Sequence, residues 1–151
     1  MLIIVIMIFN YCIWLTTEKN NDWRKITNEF LPHMSIKTNF KCLEDAQEHV
    51  KSLDINLPII VELKRFAISE WKGFWALEGK LIFSKKNKFI QPRWWPDDPH
   101  VSFIYQYNNP IKDIEIEKIK SKIKSKECVL DKIKIMKCNY HHKGWYEFPV
   151  Q

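Results

Sequence analysis

The stretch P-H-V-S-F-I-Y at residues 99–105 repeats a pattern already present at 32–38, P-H-M-S-I-K-T, 67 positions earlier (99 − 32). Both copies sit in runs of strand-forming residues. Side chains alternate faces along a strand, so His33 and Ser35 project to one side, and His100 and Ser102 do the same. If the two strands are neighbours in one sheet, two imidazoles and two hydroxyls converge on one groove. That set suits the cleavage of a phosphodiester without a metal. A neutral imidazole takes the proton of the attacking hydroxyl, and a protonated one gives a proton to the leaving oxygen. The serines donate to the non-bridging oxygens, where charge must be stabilised in the transition state. One His-x-Ser carries no weight; two, each after proline and each in a β-like run, make a pair of equivalent stations on either side of phosphorus.

Length and composition bound the rest. A chain of 151 residues is one domain with a real core. Lys+Arg 24 against Asp+Glu 18 leaves a formal charge of +6, concentrated at 80–93 and 112–137, which favours anionic partners such as nucleotides or RNA. Only three glycines occur, Gly73, Gly79 and Gly144, which excludes a Gly-rich phosphate loop and a Rossmann turn. Phosphate must then be held by side chains. Cys12, Cys42, Cys128 and Cys138 show no C-x-x-C spacing and read as reduced residues of the core.

The coarse order is β-α-β-α-β-β-β-α-β. The opening M-L-I-I-V-I-M-I-F-N-Y-C-I-W-L is rich in β-branched residues and reads as one or two buried strands. It is short for a membrane span and lacks the basic start of a secretory signal, so a membrane anchor is the less favoured reading. Amphipathic helices are predicted over 19–30, 42–53 and 114–126. Strands are predicted over 57–69 and 73–83 as a hairpin with E-G-K as a turn, over 100–107, and over 130–138.

The paired H-M-S-I and H-V-S-F resemble the His-x-Ser/Thr signature of the 2H phosphoesterase superfamily, which includes cyclic nucleotide phosphodiesterases, 2'-5' RNA ligase-like (LigT-like) proteins and viral phosphodiesterases. The second motif is similar to the Pro-His-Leu-Ser-Leu-Leu-Tyr of the plant and fungal cyclic phosphodiesterase branch. On that resemblance Tyr105 falls where a tyrosine contacts substrate, and Trp14, in C-I-W-L, where a tryptophan stacks on the nucleotide. The resemblance covers about residues 11–148. It implies an α+β fold of two lobes, each an antiparallel sheet with outer helices, around a central cleft. It also implies His33, His100, Ser35 and Ser102 as catalytic, no metal or other cofactor, and a substrate carrying a 2',3'-cyclic phosphate or a 2'-5' linkage. Ser35 stands where many members have threonine, and 84–98 is short and polar where many carry a helix.

Residues 1–10 are expected as an apolar extension, an extra strand or anchor, and 11–151 as a single domain. Arg93, Trp94 and Trp95 precede the second motif and are candidates for substrate binding, as a lid that stacks a base or pairs with phosphate. An aromatic plug for the end of the sheet explains them equally. Cys138, His141 and His142 mimic a metal cluster, but adjacent histidines on a strand point apart and zinc is not expected. The protein is expected to be a cytoplasmic monomer, in host cytoplasm if viral, with a nucleotide or oligonucleotide substrate and no obligatory protein partner. Alternatives are a viral nuclease for 2'-5' oligoadenylate or cyclic dinucleotide signals, a non-catalytic nucleic-acid-binding module, and a protein tethered to a membrane through 1–15.

Overall fold

Runs of β-branched and aromatic residues pair into one antiparallel sheet, and the helical stripes pack on its apolar face. The computed structural model describes residues 10–27, 29–138 and 141–151. The reading of residues 1–9 lies outside them. In chain order the elements are β1 (Asn10–Thr16), α1 (Asp22–Ile26), β2 (His33–Phe40), α2 (Leu43–Ser52), β3 (Ile59–Trp71), β4 (Phe74–Phe83), β5 (His100–Tyr107), α3 (Asp113–Lys122), β6 (Glu127–Leu130), β7 (Lys132–Cys138) and β8 (Tyr146–Phe148), with a 3-10 turn at His142–Gly144 before β8. The fold is α+β. The sheet order is β6-β3-β4-β5-β2-β1-β7-β8.

The middle of that order positions the site. Four strands on one side and four on the other meet where β2 lies beside β5, and the two are paired there through Met34 and Val101 alone. Both residues are buried with Leu15, Phe103, Leu81 and Trp23 in the main core, which therefore spans the junction. A smaller cluster, Ile13, Ala46 and Ile135, seats α2 on the outer half of the sheet. Burying each of the large aliphatic and aromatic side chains among them contributes about 1.5–3 kcal/mol.

Three predicted elements change. The turn of the hairpin falls at Lys72 and Gly73, with φ of 46° and 86°, where the left-handed backbone suits the glycine. Glu78-Gly79-Lys80 instead runs through the middle of β4, because Gly79 leaves room for its neighbours: a Cβ there would stand 2.5 Å from Leu63 Cδ1 and 2.8 Å from Phe103 Cε2. The predicted helix over 19–30 shrinks to α1, capped by Asn21, whose side chain accepts from Arg24 N at 2.8 Å. The strand predicted over 130–138 is β7, and a further short strand, β6, precedes it at the far edge of the sheet from β7 and β8. All four cysteines are free thiols. Among the described residues no helix is long and apolar enough to cross a membrane.

Candidate active site

Each proline of the doubled motif does a local job. The residue before a proline is held extended, and in both copies its carbonyl meets the following histidine. His33 Nδ1 lies 2.8 Å from Leu31 O, and His100 Nδ1 lies 2.8 Å from Asp98 O. A carbonyl only accepts, so in both rings Nδ1 carries the hydrogen and Nε2 is left to act. The proline carbonyls are tied as well, Pro32 O accepting from Thr16 Oγ1 at 2.6 Å and Pro99 O from Leu81 N at 2.9 Å.

The Met34–Val101 pair then relates the two motifs. Each histidine stands one residue before its member of that pair and each serine one residue after it, so the register carries His33 across from Ser102 (34 − 1, 101 + 1) and Ser35 across from His100 (34 + 1, 101 − 1). All four side chains belong to the face opposite Met34 and Val101. A local two-fold axis through the pair exchanges one motif with the other.

The surroundings of the two histidines differ. His33 is 6% exposed. Trp14, paired across the ladder with Ser35, stacks on its ring at a centroid distance of 3.5 Å and 11° between planes, and Phe30 and Trp145 meet it edge-on. Burial pushes the imidazole down to about 4; nearby His100 also lowers it, and the Leu31 carbonyl opposes the shift. His100 is more open. Its Nε2 lies 3.3 Å from Glu78 Oε2, and its Nδ1 3.7 Å from Asp98 Oδ2. Lys80 Nζ sits 2.9 Å from Glu78 Oε1 and 3.0 Å from Asp98 Oδ2. Glu78, Asp98 and His100 are the described residues whose potential metal-binding atoms cluster, within 4.8 Å of one another, and the Lys80 ammonium is the cation bound between the two carboxylates.

Tyr105 reaches this face through an irregularity. Glu78 pairs with Ser102 and Leu77 with Ile104, so Phe103 is an extra residue in β5 that reverses the alternation beyond it. Burial pushes the phenol up, against a hydrogen bond with Ser102 that lowers it.

Trp14 is 2% exposed, with one ring face taken by His33. A ring so covered offers no free face to a base. Arg93 is exposed, whereas Trp94 donates to Asp54 O at 3.0 Å and Trp95 packs edge-on against Phe83, both turned into the core.

Other residues of this region were not assigned a role by the sequence reading, which expected 140–148 only as a hairpin or terminal loop near the cleft with Trp145 and Tyr146 partly core. Beside Trp14, a cavity of about 180 Å³ is lined by Phe30, Met136 and Trp145, with Lys134 and Lys143 among its polar groups. His142 binds Glu29 through Nε2 at 2.5 Å and Tyr107 OH through Nδ1 at 3.2 Å, bracing the segment that carries Trp145. The aromatic spacing in Y-H-H-K-G-W-Y-E-F was a visible signal for this wall. Glu78 carried none, since its triplet resembles a turn.

The architecture defines a class before any relative is considered: an antiparallel α+β sheet split at a central strand pair. A solved structure of Usb1 from Kluyveromyces marxianus shares that fold, at a TM-score of 0.50 and 11% identity, over 93% of this chain and 97% of the other. At that identity the likeness is one of fold. No family model matches the sequence, and no curated protein matches it.

Proposed function

We propose that the chain is a metal-independent phosphodiesterase of the 2H phosphoesterase superfamily, cleaving 2',3'-cyclic phosphates or 2'-5' linkages of nucleotides or RNA. The observation that carries this reading is the local two-fold about Met34 and Val101, which brings both His-x-Ser motifs to one face with the same Nδ1-to-carbonyl bond. The two four-stranded halves correspond on this reading to the two lobes, and the fold shared with Usb1 supports that frame.

His33 is neutral at physiological pH because of its burial, and its Nε2 lone pair is the base that takes the proton of the attacking water or hydroxyl. The negative charge of a bound phosphodiester strengthens that base as substrate arrives. His100 is the acid that protonates the leaving oxygen. Ser35 and Ser102 donate to the non-bridging oxygens, and Tyr105, bonded to Ser102, orients that hydroxyl. The base of the nucleotide lies along Trp145 and Phe30, at the cavity beside Trp14. Arg93 remains a candidate for a more distant phosphate.

The test is incubation in EDTA with 2',3'-cyclic nucleotides, 2'-5' oligoadenylate and cyclic dinucleotides, with identification of products. Cleavage of one class in chelator is expected. Activity abolished by EDTA and restored by zinc or manganese overturns the reading.

A further inference from the structure

We propose that Glu78 is a positioning residue for His100, holding its imidazole as the doubly protonated cation with Nε2–H turned toward the serine face. The assignment of a catalytic consequence rests on the phosphodiesterase reading above; the pairing itself does not.

A carboxylate that is 7% exposed on a central strand is costly unless it is matched. Glu78 is matched on both oxygens. Oε1 accepts from Lys80 Nζ at 2.9 Å, and Oε2 accepts from Ser69 Oγ at 3.0 Å while lying 3.3 Å from His100 Nε2. A plain ion pair with Lys80 on the same strand face would need neither Ser69 nor the ring. Instead the second oxygen is aimed at the one imidazole nitrogen that Asp98 O does not hold.

The protonation state follows from the partners. Nδ1 faces a carbonyl and Nε2 faces a carboxylate, and neither can donate. A lone pair on Nε2 would point at anionic oxygen, so the form compatible with both neighbours carries hydrogen on both nitrogens. Among the described residues no carboxylate is paired with His33, whose near neighbours are the rings of Trp14, Phe30 and Trp145. The charged and titratable groups around His100 are Glu78 and Lys80 from β4, Asp98 from the preceding loop, Arg65 of β3, which is paired with Lys80 and acts on Asp98, and the neutral His33 across the junction.

Lys80 also binds the Asp98 carboxylate, so one ammonium ties together the two residues that hold the two ring nitrogens. At 3.3 Å the Nε2 contact is longer than the 2.7–2.9 Å typical of a charge-assisted hydrogen bond. It orients the proton without locking it, and a leaving oxygen arriving on the serine face can take it.

The experiment is 15N NMR of the His100 ring in wild type and in Glu78→Gln, with steady-state kinetics on whichever substrate is turned over. Wild type should show both nitrogens protonated at neutral pH, and Glu78→Gln should move Nε2 toward a neutral ring. Turnover should fall by roughly 10- to 100-fold in kcat while KM changes little, because the substrate still binds but the proton is misplaced. A wild-type spectrum with a bare Nε2 overturns the proposal even if the variant fails to fold, as does a folded Glu78→Gln protein with unaltered spectrum and kcat. If the imidazole responds to Glu78→Gln while no phosphodiester is cleaved, the pairing stands and the catalytic reading fails.

Discussion

Trp14 and His33 lie face to face, 3.5 Å between ring centroids, so the tryptophan expected to hold a base is instead a floor for the imidazole of the first His-x-Ser motif. Trp14→Ala should destabilise the fold by about 3–5 kcal/mol, the usual cost of emptying a buried aromatic site, and lower activity through His33 instead of through substrate affinity. Thermal unfolding read beside kinetics separates these effects. A stable variant with only a raised KM would return the base to Trp14.

Substrate affinity should instead follow the half-buried wall of Trp145 and Phe30. Stacking of one base on an aromatic ring contributes roughly 1–3 kcal/mol, so Trp145→Ala should raise KM by about 5- to 150-fold with kcat nearly kept. Trp94→Ala should act on stability, since that indole donates to Asp54 O and packs on the core. Titration of nucleotide affinity in both variants checks the contrast.

His33→Ala and His100→Ala should each lower turnover by about 10²- to 10⁴-fold, and the double variant by much less than the product, because base and acid serve one step. Ser35→Ala and Ser102→Ala should cost less and appear mainly in kcat. Full activity in either histidine variant would remove the doubled motif from the chemistry.

The depressed titration of His33 has two pH signatures. The folded value of about 4 lies below the ordinary 6.5, so the unfolded chain binds the proton more readily between them. The contribution to stability is complete above pH 6.5 and is lost as pH falls toward 4, by roughly 3 kcal/mol in all. Denaturant titrations at several pH values, with His33→Gln showing a shallower loss, measure it. The acid limb of kcat/KM should likewise lie well below that of a free imidazole.

Strand content, and the shared face of His and Ser within each motif, were legible because alternation and residue type specify them locally; that the two strands are neighbours was a condition the sequence posed and the Met34–Val101 pair meets. The bend that turns Tyr105 to the face of Ser102 is the extra residue Phe103, and its trace in the sequence is the odd offset between Ser102 and Tyr105. What was hidden depended on tertiary contact. Glu-Gly-Lys has turn composition, and only the close approach of Leu63 and Phe103 to Gly79 shows why that glycine belongs in a strand; the misreading concealed Glu78 with it. Trp14 was assigned to substrate on its resemblance to the tryptophan of the cyclic phosphodiesterase branch, and nothing in C-I-W-L reveals that His33 will cover its ring. Trp94 and Trp95, flanked by prolines, read as a lid or a plug with equal ease, and the deciding partners, Asp54 and Phe83, lie elsewhere in the chain.

The strand junction has a mechanical consequence. Two plates of four strands each are riveted, in backbone terms, at Met34 and Val101, and the paired imidazoles sit on opposite plates directly over the rivet. A small shear or rotation there changes the separation of the two histidines while every other strand pair stays intact. The packing of Met34, fully buried on the face opposite the two imidazoles, thus acts as the spacer that gauges the distance between them.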